Sequence, residues 1–392
     1  MASWNQLKLK HFTIMLAALF IASVSISAIW ITKAEASRRA LIAEQHQSEH
    51  LQLVHIRGNH AQERLKQLVV NAKIKQGKGR QSWIQRRNQR EKEYIKELVD
   101  YHNHAYHRIH YRTVYQPKIT PGAETIMFVY STITAMSAET RKAIRETWGN
   151  KTMLQKKGIM LCFVLGKRAK PGNAEQRIQE SYLSKEHDMY GDILLFDFVD
   201  SYQNLTIKTV SMIRWFLNTP NSAKYLIKCD SDVLLNIDNM MPLIQKTYHA
   251  SPNFILGHNI NITAPNRQTA SKWFVPLQLY SKIFYPEFVS GTTYVISKTA
   301  AELISKNFAS MDYLYLEDVF ITGLCRYGTG ISLVHSDKFI IKQPSSLTDV
   351  WGDCVSLHGY AGLGPDIRRN WQLINGKKVA KEKIFEANVI RN

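Results

Sequence analysis

The chain has 392 residues, 45% hydrophobic and 21% charged, with four cysteines and a formal net charge of +19. These proportions exclude a disordered or collagen-like chain, and so few cysteines in such a length exclude a disulfide-stapled mini-protein. The excess of cations suits nucleic acid, an anionic membrane or acidic substrates, and its place along the chain separates the three.

Residues 12–32, FTIMLAALFIASVSISAIWIT, form 21 consecutive residues without a charge. As a helix they span about 30 Å, the thickness of a bilayer core. A buried globular helix of this length normally carries polar interruptions. The h-region of a cleaved signal peptide is shorter, about 7–15 residues. The segment therefore reads as a transmembrane signal anchor behind a tail at 1–11. Lys8 and Lys10 precede it while Lys33, Arg38 and Arg39 follow it, so flanking charge alone does not orient it. Three sequons, at Asn150, Asn204 and Asn261, permit a lumenal body.

Residues 33–120 carry 18 Lys+Arg against 8 Asp+Glu, hence +10, and 8 of the 14 His. The first 32 residues add +2, leaving 19 − 12 = +7 for residues 121–392. Residues 33–120 read as a solvated stem, with apolar clusters at 51–54 and 65–70 that suit self-association into a homo-oligomer. Gly77-Lys-Gly79 interrupts any long heptad run. Nucleic-acid binding is the alternative, but neither interleaved aromatics nor zinc spacing accompanies the basic runs.

From Glu124 the texture changes to that of a catalytic body, 121–392. Thr125-Ile-Met-Phe-Val-Tyr130 predicts a buried strand. Ser137-Ala-Glu-Thr140 has the form of a capping box and predicts a helix through Trp148, stopped by Gly149. Strands follow at 158–165, 192–196 and 224–228, with helices predicted at 174–189 and 205–217. Alternating strands and helices predict an α/β domain with a mainly parallel sheet flanked by helices. In such sheets ligands bind beyond the carboxyl ends of the strands.

The fourth strand ends in Cys229-Asp230-Ser231-Asp232. Two carboxylates one residue apart suit a hard divalent cation that bridges to a diphosphate. Turn-forming aspartates produce the same triplet by chance, and the strand's carboxyl end is what gives this one weight. The following Val-Leu-Leu suits a chain re-entering the core. Glu317 and Asp318 are adjacent acids flanked by apolar residues, which burial penalises unless they are paired or functional. Alternatively they are first-turn acids of a helix. Tyr285-Pro-Glu-Phe-Val-Ser-Gly291 adds aromatic and glycine elements suited to sugar stacking, or simply to a core.

Together these blocks resemble the β-1,3-galactosyltransferase family, glycosyltransferase family 31, over roughly residues 124–360. The resemblance rests on Arg141-Lys-Ala-Ile-Arg145-Glu-Thr-Trp148, Phe163-Val-Leu-Gly166, and Tyr190-Gly-Asp-Ile193 with the run Asp197 to Thr209. It continues through Lys228-Cys-Asp-Ser-Asp232, Lys272-Trp273, Tyr285 to Val295, and Glu317-Asp-Val319 with Gly323. Two departures stand out. Ser231 replaces the central acid of the family's DDD motif, and Tyr-Pro-Glu-Phe replaces its Pro-Pro-Tyr form.

The resemblance implies a GT-A fold, type II topology in the Golgi membrane and inversion at the anomeric carbon. It implies Mn²⁺ at Asp232 with Asp230 nearby, and His358 as a further ligand. Asp318 is implied as base with Glu317 its neighbour, and Arg141, Arg145, Lys208 and Asp230 on the donor side. Trp273 and Tyr285 are implied at the acceptor, a glycan on protein or lipid. UDP-galactose is the leading donor, with UDP-N-acetylglucosamine or UDP-N-acetylgalactosamine as alternatives. A catalytically silent glycan-binding member is the competing class, which Ser231 keeps open. The arginines, four residues apart on one helix face, equally suit ion pairing. Cys162, Cys229, Cys325 and Cys354 allow three complete disulfide pairings in an oxidising lumen, or buried free thiols.

Overall fold

The computed structural model describes residues 88–100, 111–168, 174–359 and 364–389, without the side chains of 174–176 and 377–389. The tail, the anchor at 12–32 and most of the stem, with its self-association, lie outside the described residues. Among the described residues no helix is long and apolar enough to cross a membrane.

Eight strands form the main sheet in the order β1-β4-β3-β2-β5-β8-β7-β9. Their ranges are β1 Thr113–Tyr115, β2 Thr125–Tyr130, β3 Ile159–Lys167, β4 Ile193–Val199, β5 Tyr225–Asp230, β7 Phe254–Ile260, β8 Phe288–Ser297 and β9 Ser332–His335. β4, β3, β2 and β5 run parallel. All six residues of β2 are buried, as a parallel strand covered on both faces requires. One face packs Phe128, Phe216 and Tyr294 into a core; the other packs Trp148, Phe163 and Leu256.

Two sequence expectations need correction. The sheet is mixed, because β1 lies antiparallel to β4 and β8 lies antiparallel to both β5 and β7. The parallel expectation came from the first four βα units, whereas β8 enters after the long 261–287 connection rather than a helical crossover. The folded body also begins before residue 121. Residues 88–100 are helical, with Leu98 buried and Tyr94 stacked on Phe274 at 6.2 Å. β1 pairs Thr113 with Phe196 at the sheet edge. Three residues give too short a pattern to announce a strand; the partner edge makes it one.

Local signals fared better. The helices at Ala174–Tyr190 and Leu205–Asn218 match their expected ranges within one residue. The helix predicted after the first strand runs Ala135–Glu146, and its cap is Thr134, whose hydroxyl accepts from the Ser137 amide at 3.0 Å. Ser137 thus lies inside the first turn. Gly149 follows because a Cβ there would lie 2.6 Å from Ile144 Cγ2. All four cysteines are buried free thiols; no disulfide forms.

A second, three-stranded sheet decides the site. β6, Val233–Leu235, leaves the Asp230–Asp232 turn and pairs with β11, Ser356–His358, which also pairs with β10, Phe339–Ile340. The register sets His358 opposite Val233 and so beside Asp232.

Candidate active site

β5 delivers Asp230 and Asp232 at its carboxyl end, and a buried lysine stands just before them. Lys228 Nζ donates to Asp230 Oδ1 at 2.7 Å and to the carbonyl of Gly291. It lies 3.7 Å from Glu317 Oε2 and 4.5 Å above the Tyr130 ring. Burial alone would lower its pKa, but the charges of Asp230 and Glu317 outweigh burial and raise it. The sequence reading gave this residue no role. The signal was there: a lysine inside an otherwise apolar buried strand needs anionic company.

Glu317 and Asp318 open the turn that continues as the π-helical segment Val319–Leu324. Single π-turns recur at functional sites because they re-aim side chains. Glu317 is buried and accepts from the hydroxyl of Tyr294 on β8. Asp318 Oδ2 accepts from the Gly291 amide at 3.1 Å, and Oδ1 accepts from the Val319 amide at 2.9 Å. Both expectations for this pair therefore hold at once: helix-opening acids, one of them capping, converge in a buried cluster. Burial pushes Glu317 up to about 7, with the Lys228 charge opposing and Asp318 adding to the rise. Burial likewise raises Asp318, against its backbone hydrogen bonds and Lys228.

A pH dependence follows. A base must be ionised to accept a proton, so a raised pKa removes activity as pH falls. Burial raises both acids, so the acid limb of kcat/KM is expected above the ordinary carboxylate range, with a fall of about tenfold per pH unit below it. Glu317→Gln removes a like charge and should move that limb to lower pH. A limb that stays in place would show that the pair does not control the rate.

The residues expected at a cation fit one. Asp232 Oδ1 is buried without a hydrogen-bond partner, an acceptor left open. His358 Nε2 lies 3.3 Å from Asp232 Oδ2, while its Nδ1 faces the Ile341 carbonyl at 3.3 Å. An Nδ1–H donated to a backbone carbonyl leaves Nε2 free as a ligand, the usual arrangement for a metal-binding imidazole. Without a cation, burial would raise Asp232, but the hydrogen bond and charge of a protonated His358, together with a backbone hydrogen bond and the Lys228 charge, outweigh it and hold the carboxyl low. A second cluster, His258, His335 and Asp337, has close ligand atoms. There His335 Nδ1 accepts from the Asn259 amide at 3.1 Å and Nε2 meets Asp337 at 2.9 Å. In the neutral ring the proton then sits on Nε2, so that nitrogen donates rather than ligates.

The three cations expected on the donor side are held by acids of this chain, the ion pairing that the helix spacing also allowed for the two arginines. Arg141 is 1% exposed and forks onto Glu186 at 2.8 and 2.5 Å, with Ser131 Oγ and the Thr132 carbonyl taking NH1. Arg145 forks onto Asp192 at 2.8 Å, meets Glu186 at 2.7 Å and stacks 4.0 Å from the Tyr190 ring. Lys208 is buried against Asp200 at 2.8 Å and the Ser131 carbonyl at 3.0 Å. Their acidic partners lie within residues 186–200, so these cations form an ion-pair frame within the chain. Arg141→Met is expected to destabilise the fold by about 3 kcal/mol, read as a lower urea midpoint, because it removes one side of a buried pair. Donor KM should not move; a raised KM at unchanged stability would return Arg141 to the nucleotide.

On the other side of the acid pair, Trp273 is 53% exposed, with Lys272 Nζ 4.7 Å from its ring. Its indole N–H donates to Tyr202, a hydroxyl that also feels the charges of Asp318, Asp230 and Glu317. Trp273 thus presents an open aromatic face at the rim of the cluster. Tyr285 is instead buried against Tyr280 and Phe288, its hydroxyl unpartnered. Its phenol is core first, although Asp318 reaches it electrostatically. Among the sequons, Asn150 and Asn261 are exposed. Asn204 is buried and donates to the Val199 carbonyl at 2.7 Å, so a glycan there would break the turn it holds.

A mixed sheet with an Asp-X-Asp turn at the carboxyl end of a central strand, faced by a buried acid pair, defines a glycosyltransferase-like α/β domain. The galactosyltransferase family model matches residues 139–337, and the chain belongs to that family. Beta-1,3-galactosyltransferase 1 of Mus musculus is 38% identical over 202 residues, 51% of this chain and 60% of that protein. Lactosylceramide 1,3-N-acetyl-beta-D-glucosaminyltransferase A of Danio rerio is 28% identical over 243 residues, 61% of this chain and 63% of that protein. The matched region thus spans about three-fifths of these curated relatives. Among solved structures, a glycosyltransferase involved in the glycosylation of the major capsid of PBCV-1 aligns at TM-score 0.33 and 11% identity, over 64% of this chain and 99% of that one.

Proposed function

We propose that this chain is an inverting β-1,3-hexosyltransferase that moves galactose from UDP-galactose onto a glycan of a glycoprotein or glycolipid. It would work with Mn²⁺, as a type II Golgi membrane protein with a lumenal body. The observation that carries this reading is the convergence of two carboxylate sets on one buried lysine. Asp230 touches Lys228 directly, and the Glu317–Asp318 pair meets it through a long ion pair and Gly291.

The sets suit different tasks. Asp232, His358 and Asp230 would hold the cation, which when bound supplies positive charge to the leaving diphosphate. Asp318, oriented by two backbone amides, accepts the proton of the acceptor hydroxyl as that oxygen attacks opposite the leaving group. Glu317 neighbours the base and keeps the local charge high. Inversion by single displacement needs one base and no protein nucleophile. Trp273 offers the acceptor sugar an aromatic face.

The test uses the detergent-solubilised full chain with a panel of UDP-sugars and glycan acceptors, with Mn²⁺ or chelator. Chelator-sensitive transfer from UDP-galactose in β-1,3 linkage is expected. Similarity to the Danio rerio protein makes UDP-N-acetylglucosamine the second donor to offer. Absence of transfer from every donor would leave a glycan-binding member of the family instead.

A further inference from the structure

The buried ammonium of Lys228 stands between two carboxylates with separate tasks, and it reaches the second one through a single glycine. Gly291 lies on β8, two residues before Thr293, which pairs with Cys229 of β5. Its carbonyl accepts from Lys228 Nζ, and its amide donates to Asp318 Oδ2 at 3.1 Å. The other end of the same ammonium is anchored on Asp230 Oδ1 at 2.7 Å. The other hydrogen bonds of the Asp318 carboxylate come from the adjacent Val319 amide and from its own amide and are local, while the Asp318 carbonyl accepts from Thr322 Oγ1 at 2.6 Å. Gly291 is therefore what ties the Asp318 carboxylate to the sheet.

The chemistry of the groups makes this link stiff. An ammonium offers three donors and cannot be left buried without acceptors. Here Asp230 and the Gly291 carbonyl take two directions, with Glu317 Oε2 at 3.7 Å and the Tyr130 ring beyond. The glycine is equally constrained. A Cβ at 291 would lie 3.2 Å from Asp318 Oδ2 and 3.3 Å from Asp318 Cβ. A side chain there would require Asp318 to give way by a few tenths of an ångström.

We propose that Lys228 is a positioning residue: through the two backbone groups of Gly291 it sets the Asp318 carboxylate at a fixed distance from Asp230. This rests on reading Asp318 as the base and Asp230–Asp232 as the cation site. The same ammonium restrains cation affinity, because its positive charge already sits on Asp230. A lysine acting only as a structural counter-ion would behave differently. Its loss would weaken fold, cation binding and rate together.

The two roles separate in Lys228→Met, measured in the detergent-solubilised full chain at pH 8. Free Mn²⁺ is read by electron paramagnetic resonance without substrates, and kcat is read separately with saturating donor and acceptor. Misplacement of the base should lower kcat about 100-fold. Removal of a unit charge a few ångströms away should tighten Mn²⁺ binding at least about threefold. Gly291→Ala displaces Asp318 alone, so kcat should fall about tenfold or more while the Mn²⁺ Kd stays within about twofold. Should Lys228→Met not accumulate, Gly291→Ala decides by itself. Weaker Mn²⁺ binding in Lys228→Met, or an unchanged kcat in Gly291→Ala, overturns the proposal. Asp318→Asn at full rate would instead overturn the assignment of the base on which it rests.

Discussion

Asp318→Asn is expected to lower kcat by about 10³-fold, the upper part of what a positioned general base contributes. The replacement is nearly isosteric. An amide oxygen can still accept from the Gly291 amide, as Asp318 Oδ2 does at 3.1 Å, while the NH2 forfeits only the local bond that Oδ1 accepts from Val319, so the turn into the π-helical segment should survive at a modest cost. What is lost is the lone pair that takes the acceptor proton. UDP affinity and the thermal midpoint should therefore stay close to the parent's while turnover collapses. Calorimetric titration with UDP and a thermal scan, run beside single-turnover kinetics, check this. Loss of UDP binding together with rate would assign Asp318 to the donor instead.

The second large effect is expected from Asp232→Ala. Asp232 Oδ1 is buried and unpartnered, and His358 Nε2 lies 3.3 Å from Oδ2. Removing this carboxylate takes away the acceptor that stands open for a cation and releases the imidazole aimed at it. Stabilisation of charge on a leaving group is commonly worth about 10²–10³ in kcat, and a loss of that size is expected here. Added Mn²⁺ should no longer stimulate the variant, and its Mn²⁺ binding, read directly, should weaken at least about tenfold. His358→Gln should show a smaller loss of the same kind. A variant still fully stimulated by Mn²⁺ would move the cation site away from Asp232.

Much of the fold was legible in the chain because its first half is built from local signals. The run Thr125–Tyr130 could only be a covered strand, and all six residues are buried. Gly149 and Gly158 bracket their elements where the periodicity changes. β1 was not legible, since three half-exposed residues acquire their meaning from the edge of β4. The antiparallel insertion of β8 was not legible either. Nothing within residues 288–297 states which neighbours will flank them, and only the pairing with β5 and β7 does so.

The site divides in the same way. Residue chemistry and spacing identified Asp230, Asp232, Glu317 and Asp318, because acids beside apolar runs are conspicuous wherever they fall. The arginines were conspicuous too, yet the sequence left their role open between the donor and ion pairing. A cation in a motif shows its charge but not its partner, and Glu186 and Asp192 lie more than 40 residues away. Lys228 was equally visible as a charge in an apolar strand, but nothing near it in sequence shows that Gly291 and Glu317 complete its surroundings. By itself, then, the sequence determined the class of chemistry, the carboxylates proposed to perform it and the strand that carries two of them. Only the tertiary structure decided which charges are free to act. Solvation energy is settled by what surrounds a group in three dimensions, and a buried cation is either held by its own chain or available to a ligand.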